Sequence, residues 1–160
     1  SSSASPTPSA TVASPTPSAS PTSEIPAAAR EKTDAGAEAF VKYFFDRTNE
    51  AWTAPAVGLI PPVSETDCKF CVTTERRAEA LVQSNEKYLE APILLAGVQA
   101  ITGAPEGQQY VGATLNQREV KVVDAAGEVV RTDQKKSLES LIGLKWRDGK
   151  WSMFAVEKAS

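Results

Sequence analysis

The chain has 160 residues, with 17 Lys and Arg against 20 Asp and Glu, a net charge of −3, and no histidine. The lack of histidine excludes a Ser-His-Asp or Cys-His catalytic pair, a histidine-ligated zinc or haem centre and a histidine pH switch. The basic residues form no stripe that would neutralise a row of phosphates, so the composition argues against nucleic-acid binding.

Residues 1–29 consist almost entirely of Ser, Thr, Pro and Ala, and the heptapeptide at residues 4–10 recurs unchanged at residues 13–19. A segment with many prolines and few large apolar side chains cannot offset the entropy lost on ordering. We therefore expect a disordered, extended segment, followed by a single domain over residues 30–160. Repeated Ser-Pro-Thr-Pro units are typical of stalks that hold a domain away from a membrane, whereas an accidental low-complexity terminus is the alternative.

The start of the chain bears on how such a stalk would be held. The sequence opens at Ser1 without a signal peptide or a transmembrane run, so a stalked protein would be a processed form. We expect an upstream signal peptide that ends in a lipid-modified cysteine. That lipid would anchor the protein to the outer face of the cell membrane, which makes the expected localisation extracytoplasmic.

Two helices are predicted next. Thr33 is the predicted N-cap, and apolar residues recur at three- and four-residue spacing over residues 37–52, which predicts one helix of about twenty residues. A second helix is predicted to start around Thr73 or Thr74 and to end at Pro92. Its inner face would contain Ala78, Leu81, Val82, Asn85, Tyr88 and Leu89.

The remaining sequence predicts four antiparallel strands, at residues 93–102, 108–123, 129–146 and 151–156. Along the second strand the apolar residues change from odd to even positions, which predicts a bulge or bend over residues 116–119. Asp-Gly at residues 148–149 predicts a type I′ turn before the last strand. The two helices are the elements available to cover this sheet, so the predicted fold is α+β, with two N-terminal helices packed on a curved four-stranded antiparallel sheet.

This arrangement resembles the nuclear-transport-factor-2-like cone, the cystatin-like α+β roll, in its aromatic-rich first helix and its final hairpin Trp146-Arg-Asp-Gly-Lys-Trp151. The stretch at residues 33–40, together with Asn-Glu-Ala at residues 49–51 and Cys-Lys-Phe-Cys at residues 68–71, also resembles a family of actinobacterial lipoproteins with Ser/Thr/Pro-rich stalks. The resemblance covers about residues 33–157 and implies a tethered domain outside the cytoplasmic membrane. It implies no catalytic residues, because enzymes with this cone usually place Asp and His in the cavity and this chain has no His.

Cys68 and Cys71 are the one pair of residues with distinctive chemistry, and three interpretations compete. A zinc site would lack ligands, since two cysteines without histidine cannot complete four. A redox centre has suitable spacing, but a thioredoxin-like pair follows a strand, whereas this pair follows a helix and a Pro-rich loop. We expect a structural disulfide, formed in an oxidising compartment and stabilising the turn into the second helix by about 2 kcal/mol.

Other side chains are candidates for a binding site in the open mouth of the cone. Tyr43, Trp52, Tyr110 and Trp146 would line such a pocket, although aromatic residues at these spacings also suit a plain core. The carboxylates that remain for proton transfer are Asp46, Glu119 and Asp133, and the charge pairs Arg76-Arg77 and Lys135-Lys136 are typical of a solvated face.

Three classes of function follow. The leading one is an extracytoplasmic binding or scaffold module for a small molecule, a wall polymer or a protein partner, without catalytic residues, cofactor or metal. The second is an enzyme that uses a carboxylate in the cone cavity, and the third is a thiol–disulfide oxidoreductase that uses Cys68 and Cys71. A homodimer through the open sheet face is compatible with the leading class.

Overall fold

The computed structural model of the protein describes residues 24–159. Residues 1–23 of the expected stalk, which was predicted over residues 1–29, lie outside this range. Two helices and seven strands are described, namely α1 Asp34–Thr53, α2 Lys69–Ser84, β1 Lys87–Tyr88, β2 Ile93–Ile101, β3 Gln108–Gln117, β4 Val120–Val123, β5 Val129–Asp133, β6 Lys136–Arg147 and β7 Lys150–Lys158. Neither helix in this range is long and apolar enough to cross a membrane.

Within the described residues the strands form two antiparallel sheets, a large one in the order β2-β3-β6-β7 and a small one in the order β1-β4-β5. The predicted fold class is confirmed, since two N-terminal helices pack on a four-stranded antiparallel sheet. The small sheet is an addition that the sequence prediction did not contain. Each of the two long predicted strands is split, so that residues 108–123 become β3 and β4, and residues 129–146 become β5 and β6.

Helix α1 matches its prediction because its signals are local. The Thr33 hydroxyl accepts a hydrogen bond from the Gly36 backbone N–H at 2.9 Å and so caps the helix. The buried face of α1 packs against inward residues of the large sheet in the first core. The largest fully buried side chains of that core are Phe40, Phe44, Phe45, Ile60, Ile142, Leu144 and Met153.

Helix α2 begins and ends earlier than predicted. It starts at Lys69 rather than Thr73, because the Sγ atom of Cys68 accepts the Cys71 backbone N–H at 3.1 Å and caps the first turn. It stops at Ser84, because Asn85 adopts the left-handed conformation with φ 55° and terminates the helix. The predicted continuation towards Pro92 was therefore wrong, and the buried Tyr88 reaches the interior from β1 instead.

A second core lies where the end of α1, α2 and the small sheet meet. Its buried residues are Ala51, Trp52, Ala78, Leu81, Tyr88, Val120 and Val122. The change from odd to even apolar positions along residues 108–123 has its physical cause here, because β3 faces the first core and β4 faces the second. Arg118 and Glu119 lie between the two strands, inside the stretch that was predicted to bend.

The packed region starts before the predicted domain boundary at Arg30. Residues 27–30 form a 3₁₀ turn, Ala29 is 1% exposed, and Ile25 packs against the first core. The Trp151 indole N–H also donates to the Glu31 carbonyl oxygen at 2.8 Å. Alanine suits both a tight packed turn and a linker, so composition alone placed this boundary too late.

Candidate functional site

A groove of about 730 Å³ opens between the C-terminal part of α2 and the strands β5 and β6. Its charged lining residues are Arg77, Glu86, Arg131, Asp133 and Lys136. A volume of this size falls in the range of small-molecule sites, and most of the charged groups converge from different elements of the fold. This groove is therefore the candidate functional site.

The groove is built on the phenol of Tyr88, which connects α2 to β5. The Tyr88 hydroxyl donates to Oδ2 of Asp133 at 2.6 Å, and it accepts from Nη1 of Arg77 at 2.7 Å and from Nη2 of Arg131 at 3.3 Å. Nε of Arg131 donates to the other carboxylate oxygen, Oδ1 of Asp133, at 2.9 Å. We call these four residues the Tyr88 cluster.

Aromatic rings hold the two guanidinium groups of this cluster in place. The Trp52 and Tyr88 rings stack with centroids 5.4 Å apart, and the guanidinium of Arg77 lies 5.6 Å from the Trp52 centroid. The guanidinium of Arg131 lies 5.8 Å from the Tyr88 centroid. The Trp52 indole N–H donates to the Thr74 carbonyl oxygen at 3.2 Å, which fixes the ring against α2. The cations are thus positioned by cation–π contacts as well as by hydrogen bonds.

The ionisation of the Tyr88 cluster follows from these contacts. Burial alone would raise the pKa of Asp133, but hydrogen bonds from Tyr88 and Arg131 hold it below its ordinary value, so the carboxylate stays ionised. Burial, followed by the hydrogen bond to Asp133, raises the pKa of Tyr88, so the phenol stays neutral. Burial alone would lower the pKa of Arg131, but its bonds to Tyr88 and Asp133 raise it. The pKa values of Asp133 and Tyr88 are thus both moved further from neutral pH. This makes the two groups poorly suited to proton transfer and well suited to fixed recognition.

The sequence also identifies the family to which the protein belongs. The sequence matches the model of DUF6318, a family of unknown function, over residues 9–157. The chain belongs to this family. The match includes much of the Ser/Thr/Pro-rich segment as well as the folded region. No curated protein matches the chain.

Solved structures show similarity at low sequence identity. The intermembrane space region of the chloroplast protein ARC6 has a TM-score of 0.58 and 16% identity, and the match covers 81% of this chain and 99% of that one. At this identity the likeness concerns the fold alone. A protein from Caulobacter vibrioides and one from Nostoc punctiforme, both described as having a cystatin-like fold, give TM-scores of 0.46 and 0.44 with 15% and 8% identity. Those matches cover 75% and 74% of this chain, and 87% and 86% of the other two.

The four aromatic residues that were predicted to line a pocket lie in different parts of the fold. Tyr43 belongs to the first core, with its ring centroid 6.4 Å from that of Phe40. Trp52 belongs to the second core and supports the groove from below. Trp146 packs against the Trp151 ring across the final hairpin, and Tyr110 is half-buried on β3. The space between α1 and the large sheet is occupied by side chains of the first core.

The two cysteines lie side by side in the interior. The sulfur atoms of Cys68 and Cys71 are 2.06 Å apart, the length of a disulfide bond, and the Cα atoms are 5.2 Å apart. The exposed fractions of the two residues are 0% and 1%. Thiol–disulfide exchange requires a thiolate to reach one of the two sulfur atoms, and burial in this position prevents that access.

The three candidate carboxylates also lie in different parts of the fold. Burial raises the pKa of Asp46, which lines a second groove of about 570 Å³ between α1 and β2, next to Lys42. Glu119 is exposed in the connection between β3 and β4. Asp133 is the one of the three that lies within the Tyr88 cluster.

Arg77 and Tyr88 were not predicted to belong to one cluster. Arg77 was assigned to a solvated face, yet it lies at the edge of the apolar face of α2 defined by Ala78 and Leu81, and this position was the available signal. Glu65, which is 8% exposed and forms an ion pair with Arg147, was not predicted either. No local pattern marks Glu65, because its partner lies on a distant hairpin.

Proposed function

We propose that the chain is the extracytoplasmic, membrane-tethered binding domain of an actinobacterial lipoprotein, and that its ligand binds in the groove lined by the Tyr88 cluster. The proposal has a binding part and a location part, and they depend on different observations. Its partner would be a molecule outside the cytoplasmic membrane, and the domain would act by recognition rather than by catalysis.

The observation that carries the binding part is the Tyr88 cluster. Asp133 and the aromatic rings hold Arg77 and Arg131 in a concave site, and both side chains keep a large exposed fraction, 41% and 40%. Binding sites of this kind are usually formed in advance by a few fixed polar groups.

The location part is supported by the cysteines and by the composition of residues 1–29. A buried disulfide between Cys68 and Cys71 suits an oxidising compartment, since cytosolic thiols are kept reduced. The repeated Ser-Pro-Thr-Pro units suit a stalk that crosses a wall layer. A lipid-modified cysteine upstream of Ser1 would supply the anchor.

The two alternative functions gain less support from the geometry. A carboxylate enzyme would depend on Asp46, whose groove offers Lys42 as the other charged lining group and no paired carboxylate among its described lining residues. A thiol oxidoreductase would need an accessible thiolate, whereas Cys68 and Cys71 are buried.

The location can be tested in the native host with the gene expressed from its own start. Cells are labelled with an alkyne fatty acid, fractionated, and treated with protease before lysis. Acid quenching followed by a thiol-reactive mass tag reports the state of Cys68 and Cys71, with the double Ser variant as the control for tag addition. The proposal expects a lipid-labelled, protease-accessible membrane protein with no free thiol. An unlabelled cytosolic protein with two free thiols would overturn it.

A further inference from the structure

The chemistry of the groove indicates what it recognises. We propose that the group bound there is an oxyanion, either a carboxylate or a phosphate, carried by a small soluble molecule. This inference rests on the proposed binding function and names the ligand class for the same site. The Tyr88 cluster provides the fixed donors, and Lys136 provides a third cation beside them.

Most donors of the two guanidinium groups remain available. Each guanidinium has five N–H groups. Arg77 uses Nη1 on the Tyr88 hydroxyl, and Arg131 uses Nε on Asp133 and Nη2 on the same hydroxyl. The other N–H groups have no acceptor within residues 24–159. Guanidinium groups that present free, planar donors match the geometry of carboxylate and phosphate oxygens.

The charge balance of the groove points the same way. The whole chain has a net charge of −3, yet the groove collects Arg77, Arg131 and Lys136 against Glu86 and Asp133. Asp133 is already engaged by both guanidinium groups. The Lys136 ammonium forms no ion pair or hydrogen bond within the part of the chain that the structure describes. A positive site on an acidic domain attracts anions and repels competing cations.

The groove suits the charged group of a small molecule rather than an apolar ligand. It has a volume of about 730 Å³, it is open to solvent, and its lining is mostly polar. The donors also require no reorganisation, because aromatic rings and the Tyr88 hydroxyl already fix them. Preorganisation of this kind lowers the entropic cost of binding a small anion.

The inference can be tested by NMR titration of the ¹⁵N-labelled domain in its oxidised form. Inorganic phosphate and sodium acetate are the oxyanion probes, sodium chloride at equal ionic strength is the control for screening, and N-acetylglucosamine is a neutral probe. The Nε–H resonances of Arg77 and Arg131 report the site directly. We expect both to shift and saturate with phosphate or acetate, and to stay in place with chloride and with the neutral sugar.

Neighbouring residues provide matched control variants. Arg77→Gln and Lys136→Gln each remove one positive charge from the groove, whereas Arg76→Gln and Lys135→Gln remove the same charge from residues outside its lining. The groove variants should weaken phosphate or acetate binding about tenfold, the value of one charge-assisted hydrogen bond, and the controls less than about twofold. Lys136→Gln keeps the test decisive if Arg77→Gln unfolds the domain, because Lys136 does not hold the Tyr88 cluster together.

The outcomes separate this inference from the proposed function. Saturable shifts with phosphate or acetate that the groove variants weaken and the controls do not would support the oxyanion site. Shifts caused by the neutral sugar alone would overturn the oxyanion inference and leave a binding groove in place. Shifts that chloride reproduces, equal effects of all four variants, or no response to any probe would also overturn the inference. The location of the protein is decided by the fatty-acid and protease experiment and not by this titration.

Discussion

The Tyr88 hydroxyl is the atom on which the candidate site depends, and Tyr88→Phe removes it with little other change. The ring that stacks on Trp52 at 5.4 Å is retained, and so is the packing of the second core. What is lost is one hydrogen bond to the Asp133 carboxylate at 2.6 Å and the bonds accepted from Arg77 and Arg131 at 2.7 and 3.3 Å.

The expected loss follows from the charge and exposure of these partners. Hydrogen bonds to charged groups contribute about 1.5–3 kcal/mol when buried. The two arginine side chains are 41% and 40% exposed and regain water in the variant, so their share is small. We expect the free energy of unfolding to fall by about 1–2 kcal/mol, which for a domain of this size lowers Tm by about 3–7 °C.

The assay is urea unfolding of the wild type, Tyr88→Phe and the control Tyr110→Phe at several pH values. Tyr110 is half-buried, and its hydroxyl has no hydrogen bond within the described residues, so its loss should cost less than about 0.5 kcal/mol. The pKa of Asp133 is lowered in the fold, so its contribution is present above the unfolded pKa of about 3.9 and is lost as pH falls through the folded pKa. The cost of Tyr88→Phe should therefore shrink between about pH 5 and pH 2. A loss of unfolding free energy equal to that of Tyr110→Phe, or one that is the same at pH 7 and pH 3, would show that the Tyr88 hydroxyl does not link Asp133 to the two arginines.

Three further predictions concern the scaffold around the site. Thr33→Ala removes the cap of α1 and should lower the free energy of unfolding by about 1 kcal/mol in the same urea assay, whereas Thr33→Ser should not. Replacing Cys68 and Cys71 by Ala should cost about 2 kcal/mol and make stability independent of reductant; reductant sensitivity that persists would contradict this. Gly143→Ala would place Cβ 2.5 Å from Cζ of Phe154 and should cost about 1–3 kcal/mol by thermal unfolding, a cost that Phe154→Ala in the same chain should reduce if the clash is its cause.

The elements that sequence patterns predicted well are those whose signals are local. The cap at Thr33 and the helical spacing after it define α1 within one residue. Asp148 and Gly149 both take positive φ, 54° and 77°, and place Trp146 opposite Trp151, as the Asp-Gly turn predicted. In each case the deciding interactions join residues no more than a few positions apart.

The elements that escaped prediction depend on contacts between distant residues. Asn85 is compatible both with the inner face of a longer helix and with a left-handed helix cap. The cap is adopted because Tyr88 pairs with β4 in the small sheet, which ends the helix before it. The Tyr88 cluster brings Arg77 and Asp133 together although the Tyr88–Asp133 pair alone spans 45 positions. Nothing in the sequence around Asp133 distinguishes it from an ordinary surface carboxylate. The site can therefore be identified only from the folded structure, where β5 lies beside β4 and below α2.

The division into two cores has a consequence for how a tethered domain would work. The residues that lead from the N-terminal segment, Ile25 to Ala29, pack on the first core, whereas the groove is built on the second. Helix α1 contributes to both cores, through Phe44 at its middle and Trp52 at its end. It therefore connects the first core, where a stalk would attach, with the Trp52 ring that supports Arg77. The described residues of both cores all lie at or after residue 25. The reach of the proposed tether and the chemistry of the groove are therefore free to vary independently, and changes that disturb the second core should alter recognition without altering the attachment.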